Sequence, residues 1–153
     1  MNFRKADLQD LPQLNDLLRR SKGHWGYDKG FMDTFMALYS ITPAYLNSAN
    51  IYIAEQQGQM IAFYSFSEHT GGTVELDYFF LEPSLMGRGL GQKLWQTCLE
   101  TAREKGLVEF NLWSDPNSEA FYVKRGCQNI GSRQSPIVAD RFAPVMKYVM
   151  EKG

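Results

Sequence analysis

Cysteine is scarce in this chain of 153 residues, with only Cys98 and Cys127. Two thiols cannot build a disulfide framework, and they lack the short spacing of a zinc knuckle. Reduced thiols and a cytoplasmic protein are therefore expected. An excess of either charge is also missing: 16 Lys and Arg face 17 Asp and Glu, for a net charge of -1. A general nucleic-acid binder normally shows a strongly basic face, so no nucleic-acid partner is expected. No apolar run approaches the roughly 18 residues that a membrane span needs. The N-terminal MNFRKADLQD is charged from its fourth residue, which argues against an apolar leader. Repeats, low-complexity tracts and linkers are absent, so residues 1–153 read as a single domain. His24 and His69 have no partner at metal-ligand spacing, and no metal is expected.

What is present is the composition of a folded domain, with 44% hydrophobic and 22% charged residues. A chain of this length buries roughly 68–70% of its unfolded surface. Residues 2–5 read as a short strand. Asp7 offers an N-cap, after which Leu8, Leu11, Leu14, Leu17 and Leu18 recur at helical spacing to about Arg20. The stretch from Lys22 to Tyr27 breaks that period and reads as a loop. Asp28 caps a second helix with Phe31, Phe35, Leu38 and Tyr39 on one face, stopping around Ile41 ahead of Pro43. Ile51 to Glu55 and Met60 to Phe66 alternate around Gln57-Gly58, the pattern of a hairpin. Val74 to Leu81 is a third strand. A long helix runs to about Lys105, with Leu90, Leu94, Cys98 and Ala102 on its apolar stripe and Gly106 as C-cap. Cys98 on that stripe is expected to pack in the core and not to act as a nucleophile. A strand at Val108 to Trp113, a short helix at Ser118 to Lys124 and a final pair of strands complete a mixed α/β order.

The most informative segment runs from Leu81 to Gln92, where a strand enters a loop with Gly87, Gly89 and Gly91 and a helix follows at once. Glycines let backbone approach a ligand closely, and the free amides of a helix N-terminus favour phosphate. Arg88 adds a charge that can pair with the same anion. A P-loop requires Lys and Ser or Thr after its last glycine, whereas Gln92-Lys93-Leu94 follows here. The spacing G-x-G-x-G also departs from the dinucleotide fingerprint G-x-G-x-x-G.

Two motifs resemble the GNAT superfamily of acetyl-CoA-dependent N-acetyltransferases. The family's Arg/Gln-x-x-Gly-x-Gly/Ala signature falls on Met86-Gly87-Arg88-Gly89-Leu90-Gly91, with Met86 in place of the usual Arg or Gln. A second segment, from Asn117 through Ala120, Phe121 and Tyr122 to Gly126-Cys127, is similar to the family's other cofactor segment, with Cys127 in place of Phe. The resemblance covers residues 50–130 well and the ends more loosely. It implies a central, largely antiparallel twisted sheet of about six or seven strands flanked by about four helices. It also implies acetyl-CoA as co-substrate. The pyrophosphate would rest on Met86, Gly87, Arg88, Gly89, Leu90, Gly91 and Gln92. The backbone of Phe79, Phe80 and Leu81 would pair with the pantetheine arm as an added strand would. Asn117, also a helix-cap candidate, would hydrogen-bond the same arm.

Acetyl transfer to an amine needs a neutral nucleophile and a protonated leaving thiolate. An amine of pKa about 10.4 is neutral in fewer than about one molecule in a thousand at pH 7, so a general base helps. Glu75 and Asp77 are candidates, and alternation would put both on one strand face with Phe79 and Leu81. By position Glu75 matches the acid that some family members use; a water chain is the other route. The resemblance places Tyr122 near the cofactor sulfur as proton donor to the thiolate. By the same analogy the loop carrying His24, Trp25 and Tyr27 is one wall of the acceptor cleft, where the rings can attract a cationic amine. The expected acceptor is a small-molecule or amino-acid-like primary amine. A homodimer is left open, and a non-catalytic acyl-CoA sensor on the same fold is the competing reading.

Overall fold

The computed structural model describes residues 1–151. Seven strands form one sheet in the order β1-β2-β3-β4-β5-β7-β6. They are β1 (Asn2–Lys5), β2 (Asn50–Gln56), β3 (Gln59–Glu68), β4 (Val74–Leu81), β5 (Glu109–Trp113), β6 (Gln128–Gln134) and β7 (Phe142–Val149). Every neighbouring pair is antiparallel except β4 and β5, which run parallel. The mixed α/β architecture with a largely antiparallel sheet is as expected. Five helices accompany it: α1 (Leu11–Gly23), α2 (Lys29–Tyr39), α3 (Pro43–Ser48), α4 (Leu90–Glu104) and α5 (Glu119–Lys124).

Local chemistry explains most of these boundaries. Gln57 and Gly58 both adopt positive φ, the requirement of the tight hairpin turn between β2 and β3. Asp28 accepts a hydrogen bond from the Phe31 amide at 2.7 Å and starts α2. Asp7 does cap, but the first turn at Leu8–Asp10 is a separate 3₁₀ turn, so Leu8 points to solvent and α1 runs on from Leu11 to Gly23. The buried face of α2 is centred on Met32 and Phe35, and Leu38 is exposed. Pro43 ends nothing: α2 has already stopped at Tyr39, and Thr42 caps a further helix, α3, with Pro43 in its first turn.

The sheet is covered on both faces. Leu14, Leu17 and Leu18 of α1 and Met32 and Phe35 of α2 pack on Ile51, Ile53, Phe63, Tyr78 and Phe80. On the other face Leu94, Trp95, Cys98 and Ala102 of α4 and Tyr122 of α5 pack on Tyr64, Phe66, Leu76, Phe110, Leu112 and Met146. The Asn15 side chain ties the first layer together. It donates to the Ile41 carbonyl at 3.0 Å and accepts from its amide at 2.7 Å.

One irregularity in β4 decides which of its residues share a face. Ser65 pairs with Tyr78 and Phe66 with Leu76, so Asp77 has no partner and β4 bulges there. The bulge reverses the alternation. Val74 and Leu76 lie on the α4 face, as do Phe79 and Leu81, whereas Tyr78 and Phe80 face α1 and α2. Glu75 and Asp77 therefore share the α1–α3 face with each other but not with Phe79 and Leu81, contrary to simple alternation. Phe63 is fully buried at the centre of the α1–α2 layer. Phe63→Ala is expected to cost about 3–5 kcal/mol, read as a fall in the urea midpoint with unchanged slope.

Candidate active site

The parallel junction of β4 and β5 is joined through one residue pair, Glu75 with Asn111. Beyond it the strands separate. Phe79, Phe80 and Leu81 keep their antiparallel partners on β3, while their groups on the β5 side have no strand to pair with. At the far end of β4 the chain turns through the glycine loop into α4. Gly87 and Gly89 adopt φ of +80° and +78°, which a side chain would strain. Gly91 is needed for a different reason: a Cβ there would lie 3.2 Å from the Phe121 ring, so its bareness lets α4 and α5 approach. No side chain caps α4 and no acidic residue lies in its first turn, which leaves the amides of Leu90, Gly91 and Gln92 and the exposed Arg88 available to an anion.

Tyr122 lies beneath this gap, 7% exposed, its ring 6.1 Å from Phe79 and 5.9 Å from Trp95. Burial, with smaller contributions from Cys98, Cys127 and the Asp115 charge, holds its hydroxyl well above the ordinary phenol range. It is a firmly protonated donor. Burial also pushes the Cys98 thiol well up and Cys127 up to about 12, which suits packing and not nucleophilic attack.

On the opposite face, Asp77 accepts hydrogen bonds from the Tyr45 hydroxyl at 2.6 Å and from the Ser67 hydroxyl, and its other oxygen lies 3.0 Å from His69 Nε2. Glu75 contacts the same imidazole nitrogen at 3.3 Å. In the sequence His69 has no partner at metal-ligand spacing; in the fold the β3–β4 hairpin brings Glu75 and Asp77 to its Nε2. Burial and Asp77 raise the Tyr45 hydroxyl well above its usual value, so it too stays a donor.

The expected acceptor loop divides. His24 and Trp25 are exposed and pack edge to face at 4.8 Å, whereas Tyr27 turns inward. His24 and Tyr27 line an open groove of about 540 Å³ with Asp16, Arg19, Arg20, Gly23 and Met32; Trp25 stands outside it. The Tyr27 hydroxyl donates to Asp115 Oδ2 at 2.7 Å, Lys22 Nζ donates to the same oxygen at 2.6 Å, and Arg141 bonds the Tyr27 hydroxyl. Asn117 donates both its backbone and side-chain N–H to Asp115 Oδ1 at 2.8 Å. Asp115, not Asn117, is thus the cap of the turn ahead of α5. The Lys22 ammonium lies 5.1 Å from the Tyr27 ring centroid and the Arg141 guanidinium 4.4 Å. Asp115, Lys22 and Arg141 carried no local signal as a group, although Asp-Pro-Asn is a legible turn.

Burial alone would raise the Asp115 carboxyl; the Lys22 charge and hydrogen bonds from Lys22, Asn117 and Tyr27 outweigh it and hold the group below the usual carboxylate range. Burial pushes the Lys22 ammonium down. Because the folded Asp115 value is depressed, its stabilising contribution is complete above the unfolded value of about 3.9 and is lost as pH falls through the lower folded one. The difference in urea midpoint between the natural protein and Asp115→Asn is expected to be largest above about pH 4 and to shrink in stronger acid. A difference independent of pH would show that the carboxylate charge is not what holds this cluster.

Comparison with known proteins gives this geometry a context. The uncharacterized N-acetyltransferase YjgM of Escherichia coli (strain K12) is 28% identical over 110 residues, 68% of this chain and 66% of that protein. The 5-NmdU N-acetyltransferase of Pseudomonas phage PaMx11 is 28% identical over 124 residues, 80% of this chain and 84% of that protein. The crystal structure of the PaiA N-acetyltransferase from Thermoplasma acidophilum, in complex with coenzyme A, superposes with a TM-score of 0.75 at 17% identity, covering 97% of this chain and 98% of that one. Residues 11–127 match the Acetyltransferase (GNAT) family, and the chain belongs to it.

Proposed function

We propose that the protein is an N-acetyltransferase that moves the acetyl group of acetyl-CoA directly to the primary amine of a small-molecule or amino-acid-like acceptor. One observation carries this reading: the β4–β5 gap opens beside a buried Tyr122 on the α4 face, with the carboxylates of Glu75 and Asp77 at its closed end on the opposite face and an uncapped helix N-terminus at its open end. Transfer from a thioester is helped by a base for the attacking amine and an acid for the departing thiolate.

Acetyl-CoA supplies the activated thioester. The amides from Gly87 to Gln92, with Arg88, hold its pyrophosphate, and Met86 frames the loop without a charge of its own. The free edge of Phe79, Phe80 and Leu81 takes the amide-rich arm as an added strand, and the side-chain carbonyl of Asn117, whose N–H is held by Asp115, accepts from the same arm. Glu75 accepts the amine proton, Asp77 orients the groups around it, and Tyr122 gives its hydroxyl proton to the departing thiolate. Tyr27, with His24 and Trp25 at the rim, forms the acceptor wall. The near-neutral total charge favours a small amine over nucleic acid, and the buried thiols fit a cytoplasmic setting. No helix among the described residues is long and apolar enough to cross a membrane.

Thiol release from acetyl-CoA against amines, amino acids, lysine peptides and 5-NmdU tests the activity. Binding of acetyl-CoA with no release for any amine would favour the sensor reading. Saturation at about 100 times the dissociation constant is expected to stabilise the fold by about 2.7 kcal/mol, seen as a rise in Tm. Tyr122→Phe is expected to lower turnover at least about tenfold while acetyl-CoA affinity stays within a few-fold, because the hydroxyl acts in the transition state. Equal turnover would return Tyr122 to packing alone.

A further inference from the structure

We propose that the acceptor amine also carries a carboxylate and that Arg141 binds it, so that the substrate is an amino acid anchored by its acid group. The inference rests on the acetyltransferase reading above and narrows its acceptor. Arg141 closes the β6–β7 connection, and the start of β7 lies beside the end of β5, where the Ser114 amide donates to the Pro144 carbonyl at 2.9 Å. Its backbone is fixed on both sides: the carbonyl accepts from the Ser135 amide at 2.7 Å, and the amide donates to the Val138 carbonyl at 3.1 Å. The guanidinium lies 4.4 Å from the Tyr27 ring centroid and 5.4 Å from that of Phe31, two rings stacked at 4.2 Å. Aromatic faces thus hold the planar fork without consuming its N–H groups.

Hydrogen-bond counting leaves that fork unfilled. A carboxylate offers about four acceptor sites, and all of those on Asp115 are taken. Lys22 and Tyr27 donate to Oδ2, and Asn117 donates its backbone and side-chain N–H to Oδ1. Arg141 stands 3.6 Å from Oδ2, outside hydrogen-bond distance. Its one side-chain partner among the described residues is the Tyr27 hydroxyl, a neutral group.

Charge points the same way. Lys22 and Arg141 are two cations beside one carboxylate, which leaves an excess of one positive charge. Burial and the nearby Arg141 both push the Lys22 ammonium down, the mark of cations short of a counter-charge. Lys22 is covered, 12% exposed, whereas Arg141 is 25% exposed and can meet a ligand. A carboxylate brings one negative charge and two oxygens that match the guanidinium fork, so it cancels the excess and fills the free donors. A phosphate monoester would bring a charge of about -1.5 to -2 and exceed it. The other end of the site suits the amine. Glu75 and Asp77 lie on the same side of the sheet, where Tyr27 and Phe31 join the α1–α2 layer and Tyr45 of that layer donates to Asp77. A zwitterion fits with its ammonium toward Glu75 and its carboxylate toward Arg141, and the reversed pose meets like charge at both ends.

Thiol release with α- and ω-amino acids, each against its own carboxamide, tests the proposal. Chain length is varied because Asp115 lies four residues beyond the Glu75–Asn111 pair, so the two ends of the site are apart. For the natural protein kcat/KM is expected to be at least about tenfold higher for the best acid than for its amide, the difference one charged hydrogen-bond partner makes. Arg141→Gln is expected to erase that preference by raising the KM of the acid at least about tenfold, with its kcat and the acetyl-CoA KM within about twofold, because this contact is the same in the ground and transition states. Arg141→Lys, which keeps the charge without the fork, is expected to recover only part of it. An amide acetylated as well as its acid by the natural protein would overturn the inference with no variant needed, as would an acid preference that survives in Arg141→Gln. A rise in the acetyl-CoA KM alone would assign the guanidinium to a coenzyme phosphate and sink it equally. If the natural protein acetylates no amine, the parent reading falls and this one with it; if it acetylates amines regardless of the carboxylate, only this inference falls.

Discussion

The single parallel junction between β4 and β5 is the constraint on which the rest of the molecule depends. Antiparallel neighbours can zip along their whole length, but these two strands are joined at Glu75 and Asn111 and then part. The gap leaves backbone groups of Phe79–Leu81 without strand partners, a cost that only a ligand or solvent relieves. It also gives the following loop room to present the amides of α4, and it lets Tyr122 reach the sheet from one side while Glu75 and Asp77 line the other. Closing the gap with a continued ladder would improve the sheet and remove the site.

The two halves of the sheet then need a tie across that gap, and the Asp115 carboxylate provides one. It joins Lys22 of α1, Tyr27 of the α1–α2 loop and Arg141 of the β6–β7 connection, a pairing of groups from both sides of the junction. Buried charges of this kind gain little net stability over apolar packing, because desolvation offsets most of the attraction. What they give is position. The α1–α2 loop is held against the end of β5 by directional polar bonds, which fix its place more narrowly than a hydrophobic seam would.

The bulge at Asp77 acts in the same way at a smaller scale. One unpaired residue turns Asp77 toward Tyr45 and Ser67 on the α3 side and restores Phe79 and Leu81 to the α4 core. Strict alternation would have forced a choice between burying two carboxylates among Trp95 and Tyr122 and exposing Phe79. The extra residue removes that conflict.

Much of this was legible in the residues themselves. The hairpin at Gln57-Gly58, the cap at Asp28, the stripe of α4 and the strand–glycine–helix passage at Leu81–Gln92 all follow from preferences acting within a few residues: φ permission, capping and side-chain period. Helix α3 is not legible because Pro43 reads as a stop for α2, whereas it stands in the first turn of α3 behind Thr42. The bulge was hidden because nothing in VELDYFFL marks which residue loses its partner; β3 decides it. The clusters at Asp115 and His69 were beyond local reasoning altogether. Tyr27 and Asp115 are 88 positions apart and Tyr27 and Arg141 114, and no sequence period connects them. Sequence by itself determined most of the elements and the strand–glycine–helix passage at Leu81–Gln92, since those energies are local. Only the tertiary structure decided which charges meet across the β4–β5 gap, since that depends on how two independently formed layers are brought against one sheet.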